Sequence, residues 1–176
     1  MASMTDVSLI CHPYTARKDV GAGHDRYVFE LTKQLNHTGI SYEVLASGAI
    51  KSFLDAAYKE ALFPVRLLSH HTKIYHATAA VPARSPIWVR KKPLLTTIHD
   101  VIWFFETKQD AWWKSAYKKY CIRWAAQKSD CLIVPAESTK AFLIDQLDVS
   151  ADRVRLVPYG IDHEQFYPGE KPDNEI

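Results

Sequence analysis

With 176 residues, 47% of them apolar and 12% aromatic, the chain suits one packed domain burying roughly 70% of its unfolded surface, which excludes a disordered segment or a staple-dependent mini-protein. No apolar run approaches the roughly 20 residues that span a bilayer, and a net charge of only +2 does not demand a polyanionic partner. The first residues lack the charged-then-apolar pattern of a secretory leader.

The elements alternate from the start. Val7–Cys11 is a short apolar run, read as the first strand. Gly21-Ala-Gly23 precedes a segment with Tyr27, Val28, Leu31 and Leu35 at helical spacing, which Gly39 stops. Strand, glycine loop and helix are the opening of a βαβ unit. Tyr42–Ala46 is the next strand, followed by a helical stretch from Phe53 to His71 that Pro64 is expected to interrupt. Lys73–Ala77 reads as a third strand, and the proline-rich residues 81–92 as a loop. Leu94–Ile98, introduced by Pro93, is a β-branched and apolar run that forms the fourth strand and ends in two ionisable groups, His99 and Asp100. Asp110–Lys128 is helical, Cys131–Pro135 a fifth strand, Ser138–Leu147 a helix and Arg153–Val157 a sixth strand. This alternation predicts an α/β fold, a Rossmann-like parallel sheet with helices on both faces. The domain is expected over residues 4–168, with 169–176 a linker or tail of Gly, Pro and charge.

Most chemical templates fail. Cys11, Cys121 and Cys131 have no metal-like spacing and read as buried thiols of a reducing cytoplasm. There is no G-x-S-x-G elbow and no G-x-x-x-x-G-K-[ST] loop. His70, His71 and His76 cluster in sequence, but adjacent histidines point in different directions, so no metal is expected. Two features remain. In an open parallel sheet, ligands bind beyond the carboxyl ends of the strands, which is where His99 and Asp100 stand. They are either one wall of that crevice or simply a hydrogen-bonded pair. Gly21 and Gly23 open a helix whose free N–H groups suit an anion, although a plain tight turn explains them equally well.

The helix around residue 120 carries a second signal. Trp113, Tyr117, Tyr120 and Trp124 are spaced four, three and four apart and share one face, with Lys114, Lys118, Lys119, Arg123 and Lys128 around it. Trp112, Trp103, Phe104 and Phe105 lie close in sequence, and Trp88-Val-Arg-Lys-Lys92 is another basic-aromatic patch. Either the rings pack on the sheet and the cations are solvated, or Trp112, Trp113, Tyr117, Lys118, Lys119, Tyr120 and Trp124 face an anionic membrane surface. No nucleic-acid-binding module is recognisable.

Taken in order, four segments resemble the N-terminal domain of the family 4 glycosyltransferases, enzymes of the GT-B fold. They are Gly21–Leu31, Thr96-Thr-Ile-His-Asp100, Ala136-Glu-Ser-Thr-Lys140 and Val157-Pro-Tyr-Gly-Ile-Asp162 with its continuation to Pro168. Ala136 stands where the family usually has Ser. The resemblance implies the acceptor-side half of a retaining hexosyltransferase that uses a nucleotide-sugar and needs no essential metal or cofactor. The donor would be held mainly by a second domain that these residues do not contain, and the chain by itself would be inactive. Gly21, Gly23 and Glu137 would face the donor, with Glu137 at the mouth of the following strand. His99 and Asp100 would lie beside the transferred sugar and a sugar or lipid-linked acceptor. The expected location is cytoplasmic, peripheral on the inner face of the membrane. Two other readings stay open: a stand-alone Rossmann-like nucleotide- or phosphate-binding domain, and a non-catalytic membrane- or partner-binding module.

Overall fold

In the computed structural model, residues 5–11, 23–46, 53–105 and 112–161 are described. The elements run β1 (Thr5–Cys11), α1 (Gly23–Thr38), β2 (Tyr42–Ala46), α2 (Phe53–Leu68), β3 (Thr72–Ala77), α3 (Arg84–Trp88), β4 (Leu94–Thr97), α4 (Trp112–Lys128), β5 (Cys131–Val134), α5 (Glu137–Leu147) and β6 (Val154–Leu156), with single 3-10 turns at Ile102–Phe104 and Ala151–Arg153. The strands form one parallel sheet in the order β2-β1-β3-β4-β5-β6. The chain winds outward from β1 to β2, then crosses back to β3 on the other side of β1. The switch point therefore lies between β1 and β3.

Both faces of the sheet are covered. Ser8 to Cys11 are buried without alternation, as a strand enclosed on two sides requires. On one face Ile10, Tyr75, Ala77, Leu94, Ile98, Leu132 and Val134 join Phe63, Leu67, Ile122, Ala125 and Leu143 in one apolar cluster. Leu9 and Val28 of α1 are fully buried outside it. Period-2 alternation in β4 thus gives Leu94, Thr96 and Ile98 to one face and Thr97 and His99 to the other.

Two expectations from the sequence need correction, and one of the two readings left open for α4 does not hold. Residues 81–92 contain the short helix α3, with Ser85 and Pro86 buried. Pro86 fits because it lies near a helix start, where its missing N–H costs little. α2 runs unbroken through Pro64, since burial of Phe63, Pro64 and Leu67 offsets the hydrogen bond that proline removes. In α4 the buried side is Cys121, Ile122, Ala125 and Ala126, not the aromatic stripe. Small residues let the helix approach the sheet closely, which leaves Trp113 and Tyr120 about half exposed, at 51% each. The tail at 169–176 lies outside the described residues. None of the three cysteines is in a disulfide, and no described helix is long and apolar enough to cross a membrane.

Asp130 ties the start of β5 to the start of β4. Its carboxylate accepts from the Leu94 N–H at 2.7 Å and from Lys92 Nζ at 2.7 Å, while its own N–H donates to the Leu94 carbonyl at 2.8 Å. Desolvation works against this charge, but the Leu94 N–H and the Lys92 and Arg153 cations hold the carboxyl below its usual 3.8. Asp130→Asn should destabilise the fold by about 1–2 kcal/mol near neutrality. Because the folded-state pKa is lowered, that difference should be full above the usual carboxylate range and shrink as pH falls below it. Urea unfolding at pH 7 and pH 3 would show this; a difference that does not shrink contradicts it.

Candidate functional site

The site builds up where the odd-numbered residues of β4 leave the sheet. Thr97, on the α1 face, is buried, and its hydroxyl meets two groups: Tyr27 Oη of α1 at 3.0 Å and His76 Nε2 of β3 at 2.9 Å. Thr78, just past β3, closes the switch point by donating its N–H to the Ile10 carbonyl at 2.9 Å. Its own hydroxyl meets His24 Nε2 of α1 at 3.0 Å. Its carbonyl accepts a hydrogen bond from His99 Nε2 at 2.8 Å.

That bond fixes the His99 tautomer, because a carbonyl can only accept. Nε2 carries the proton, so in the neutral ring Nδ1 is the acceptor, and the Tyr159 hydroxyl bonds to it. The rings form one aromatic nest. His99 meets Tyr27 edge-on at 5.0 Å and His24 edge-on at 5.5 Å, and stacks with Tyr159 at 6.0 Å.

Protonation states follow from burial. Desolvation, with a further push from His99, drives the His76 imidazole down to about 4. Burial also lowers His99 from its usual 6.5, against the opposing effects of the Thr78 carbonyl and the Asp100 charge. Tyr159 is pushed up to about 12 by desolvation, then by Tyr27 and Asp100. At neutral pH both imidazoles are therefore uncharged and both tyrosines keep their protons. His76 and His99 thus stand uncharged in a hydroxyl-rich aromatic wall with the Asp100 carboxylate at its rim.

The residues anticipated from sequence divide. His99 is at the centre. Asp100 is its neighbour but not its hydrogen-bond partner: the exposed Asp100 carboxylate accepts from the Ile102 N–H at 3.2 Å. The reading of His99 and Asp100 as a hydrogen-bonded pair is thereby overturned. Gly23 is the first residue of α1, with no positive φ, and a Cβ there would meet nothing within 4 Å. Gly21 lies outside the described residues. Glu137 begins α5, exposed and ion-paired with Lys140 at 3.7 Å rather than with a member of the cluster. Ala136 is the residue that caps α5, with no side-chain hydrogen bond. A Ser hydroxyl at that position would supply one.

The three histidines weighed as metal ligands go separate ways. His70 pairs with Glu43 at 3.1 Å, His71 with the Ser69 carbonyl at 3.2 Å and His76 with Thr97. Among the described residues no group of three or more His, Cys, Asp or Glu is placed to hold a metal ion.

The aromatic and basic residues of α4 form a separate outer surface. Trp112 is 82% exposed. Tyr117 accepts a hydrogen bond from Arg84 Nη1 at 2.5 Å, Lys118 Nζ lies 3.4 Å over the Trp103 ring, and Tyr120 leans on Trp124 at 5.5 Å. Lys119 is half-buried. His24, Tyr27, His76, Thr78, Thr97 and Tyr159 were not singled out as site residues from sequence. His24, Tyr27, Thr97 and Tyr159 lie in the segments that carry the family resemblance, and strand alternation puts Thr97 on the same face as His99.

A parallel sheet of this order, with its polar cluster at the switch point, defines a Rossmann-like domain of the kind that forms half of a GT-B fold. The chain belongs to Glycosyltransferase Family 4, whose model matches residues 21–165. Two solved structures share the fold. Sucrose-phosphate synthase from Thermosynechococcus elongatus superposes with a TM-score of 0.71 at 14% identity, over 94% of this chain and 50% of that one. Anabaena HepE, solved in complex with UDP and glucose, gives 0.54 at 12% identity, over 90% of this chain and 46% of that one. The chain thus spans about half the length of each. No curated protein matches the sequence.

The buried neutral His76 generates a prediction. Below pH 6.5 the unfolded chain takes up a proton that folded His76 refuses until about 4. Stability is therefore lost as pH falls through that window, by up to about 1.4 kcal/mol per unit of difference. Urea midpoints measured from pH 7 to 4 should fall more steeply for the wild type than for His76→Gln. Parallel curves would contradict the assignment.

Proposed function

We propose that residues 4–168 are the acceptor-side half of a retaining glycosyltransferase. It moves a hexose from a nucleotide-sugar to a sugar or lipid-linked acceptor, and residues 169–176 lead to a second domain that holds the donor. The observation that carries this reading is the hydroxyl-rich aromatic cluster of His24, Tyr27, Thr97, His99 and Tyr159, with His99 uncharged, at the switch point of a family 4 domain. Aromatic faces and hydroxyls without net charge suit a sugar ring. HepE, which shares the fold, was solved with UDP and glucose.

The geometry supports a division of labour. Transfer requires stabilisation of a departing diphosphate and of an oxocarbenium-like sugar. Gly23, with no steric need of its own to be glycine, leaves room for a phosphate to approach the first turn of α1. Gly21 and Glu137 are assigned to the same donor side by their place in the family pattern. His99 has both ring nitrogens engaged, so its role is to form and orient the wall beside the sugar rather than to take a proton. Asp100, at the rim, supplies negative charge toward the developing cation.

The membrane part of the proposal rests on α4, whose sequence holds five cations and no carboxylate and whose Trp112, Trp113 and Tyr120 are exposed. Rings at headgroup depth, with cations on anionic lipid, fit that surface. On this reading the enzyme sits peripherally on the inner face of the membrane, beside a lipid-linked acceptor.

Two tests follow. In the longer protein, His99→Ala should lower transfer by roughly 100-fold through misplacement of the sugar, measured as nucleoside diphosphate release with acceptor present; unchanged turnover would refute the site. For the membrane part, the chain should co-sediment with vesicles rich in anionic phospholipid and lose that binding as salt rises. Trp112→Ala with Trp113→Ala should weaken it about tenfold or more; equal binding by the double variant removes the membrane claim.

A further inference from the structure

Tyr159 does not belong to the sheet, yet it completes the site. Val157 N–H donates to the Val134 carbonyl at 2.8 Å, which anchors the chain as it leaves β6. β6 is two strands away from β4, a separation of roughly 10 Å at ordinary strand spacing. The segment after β6 must therefore turn back across the end of β5 for the Tyr159 ring to stack on His99 and to meet Tyr27 at 6.0 Å. Residues 157–161 are exposed throughout. The hydroxyl on His99 Nδ1 is thus delivered by a strap that lies over the sheet edge without being buried in it.

We infer that Tyr159 is a positioning residue for His99: its hydroxyl donates to Nδ1, holds the ring neutral and in one orientation, and makes the state of His99 depend on where the segment after β6 lies. A donor on Nδ1 stabilises the neutral ring and disfavours the imidazolium, in which Nδ1 would itself need an acceptor. The direction of donation is secured from both ends. Nε2–H is committed to the Thr78 carbonyl, and Tyr159 keeps its proton to about pH 12. The other titratable groups facing His99 are His24 and Tyr27 from α1, His76 from β3 and its neighbour Asp100. None of them replaces that donor: His24 is bonded to Thr78, Tyr27 and His76 to Thr97, and Asp100 can only accept.

In transfer, withdrawal of the strap would free Nδ1 and loosen the wall beside the sugar. That consequence rests on the glycosyltransferase reading, whereas the state of His99 itself does not. The test uses NMR on this chain and reads no activity, so its failure is separable from failure of the enzymatic proposal. Wild-type imidazole nitrogen shifts should show protonated Nε2 and acceptor Nδ1 on His99, with a titration midpoint below 6.5. Tyr159→Phe keeps the ring and removes the hydroxyl. It should raise the His99 midpoint by about half a unit to one unit while His76 stays near 4. The inference is overturned if the His99 midpoint in Tyr159→Phe equals that of the wild type with His76 unmoved. It is overturned equally if the wild-type ring carries its proton on Nδ1, a result that holds even should the variant fail to fold.

Discussion

Two imidazoles are placed against the carboxyl edge of a parallel sheet, and His76 at least is almost wholly removed from water. Such groups can be buried only uncharged, with their ring nitrogens engaged, because a desolvated imidazolium costs several kcal/mol and an orphaned nitrogen roughly 1–3. For His76 Nε2 and for both ring nitrogens of His99 the surroundings meet that condition with hydroxyls and a carbonyl rather than with carboxylates. Thr97 serves His76 and Tyr27 together, Thr78 serves His24 and His99, and Tyr159 closes the remaining nitrogen of His99. The neutrality of His76 and His99 is therefore a consequence of how they are packed.

The sheet supplies the precision. β3 and β4 are paired in register, His76 beside Leu95 and Ala77 beside Thr96, so the chain positions that follow them are fixed to within a residue. Thr97 and His99 share a face because β4 alternates, and α1 covers that face with His24 and Tyr27 one turn apart. Asp130, bonded to both ends of the Leu94 peptide unit, sets where β4 begins. A slip of one residue there would turn Thr97 and His99 into the apolar cluster and bring Ile98 to the site.

The strands and most helices were legible in the sequence because their apolar runs are short, regular and punctuated by Gly, Pro and polar residues. His99 was legible because a strand pattern ended on it. The rest of its neighbourhood was not, because it assembles from α1, β3, the turn after β3 and the segment after β6, which are up to 135 residues apart between His24 and Tyr159. Tyr27 falls in an apolar stripe and in the family-like segment Gly21–Leu31, neither of which reveals that its hydroxyl is what matters here. In α4 the regular spacing of four large aromatics outweighed the quieter Cys121, Ile122, Ala125 and Ala126, yet close packing on a sheet favours the smaller side chains. α3 was hidden by the prolines around it, one of which sits inside the helix.

The central claim is that this sheet edge is one wall of a sugar-transfer site whose other wall lies in a second domain. A crystal structure of the longer protein with a nucleotide-sugar bound tests it most directly. The account predicts the sugar stacked beside His99 and Tyr159, within hydrogen-bond reach of about 3 Å of the residues that follow β3 and β4, with the diphosphate toward the start of α1. A sugar seated elsewhere, with the His99 wall open to solvent, would contradict it.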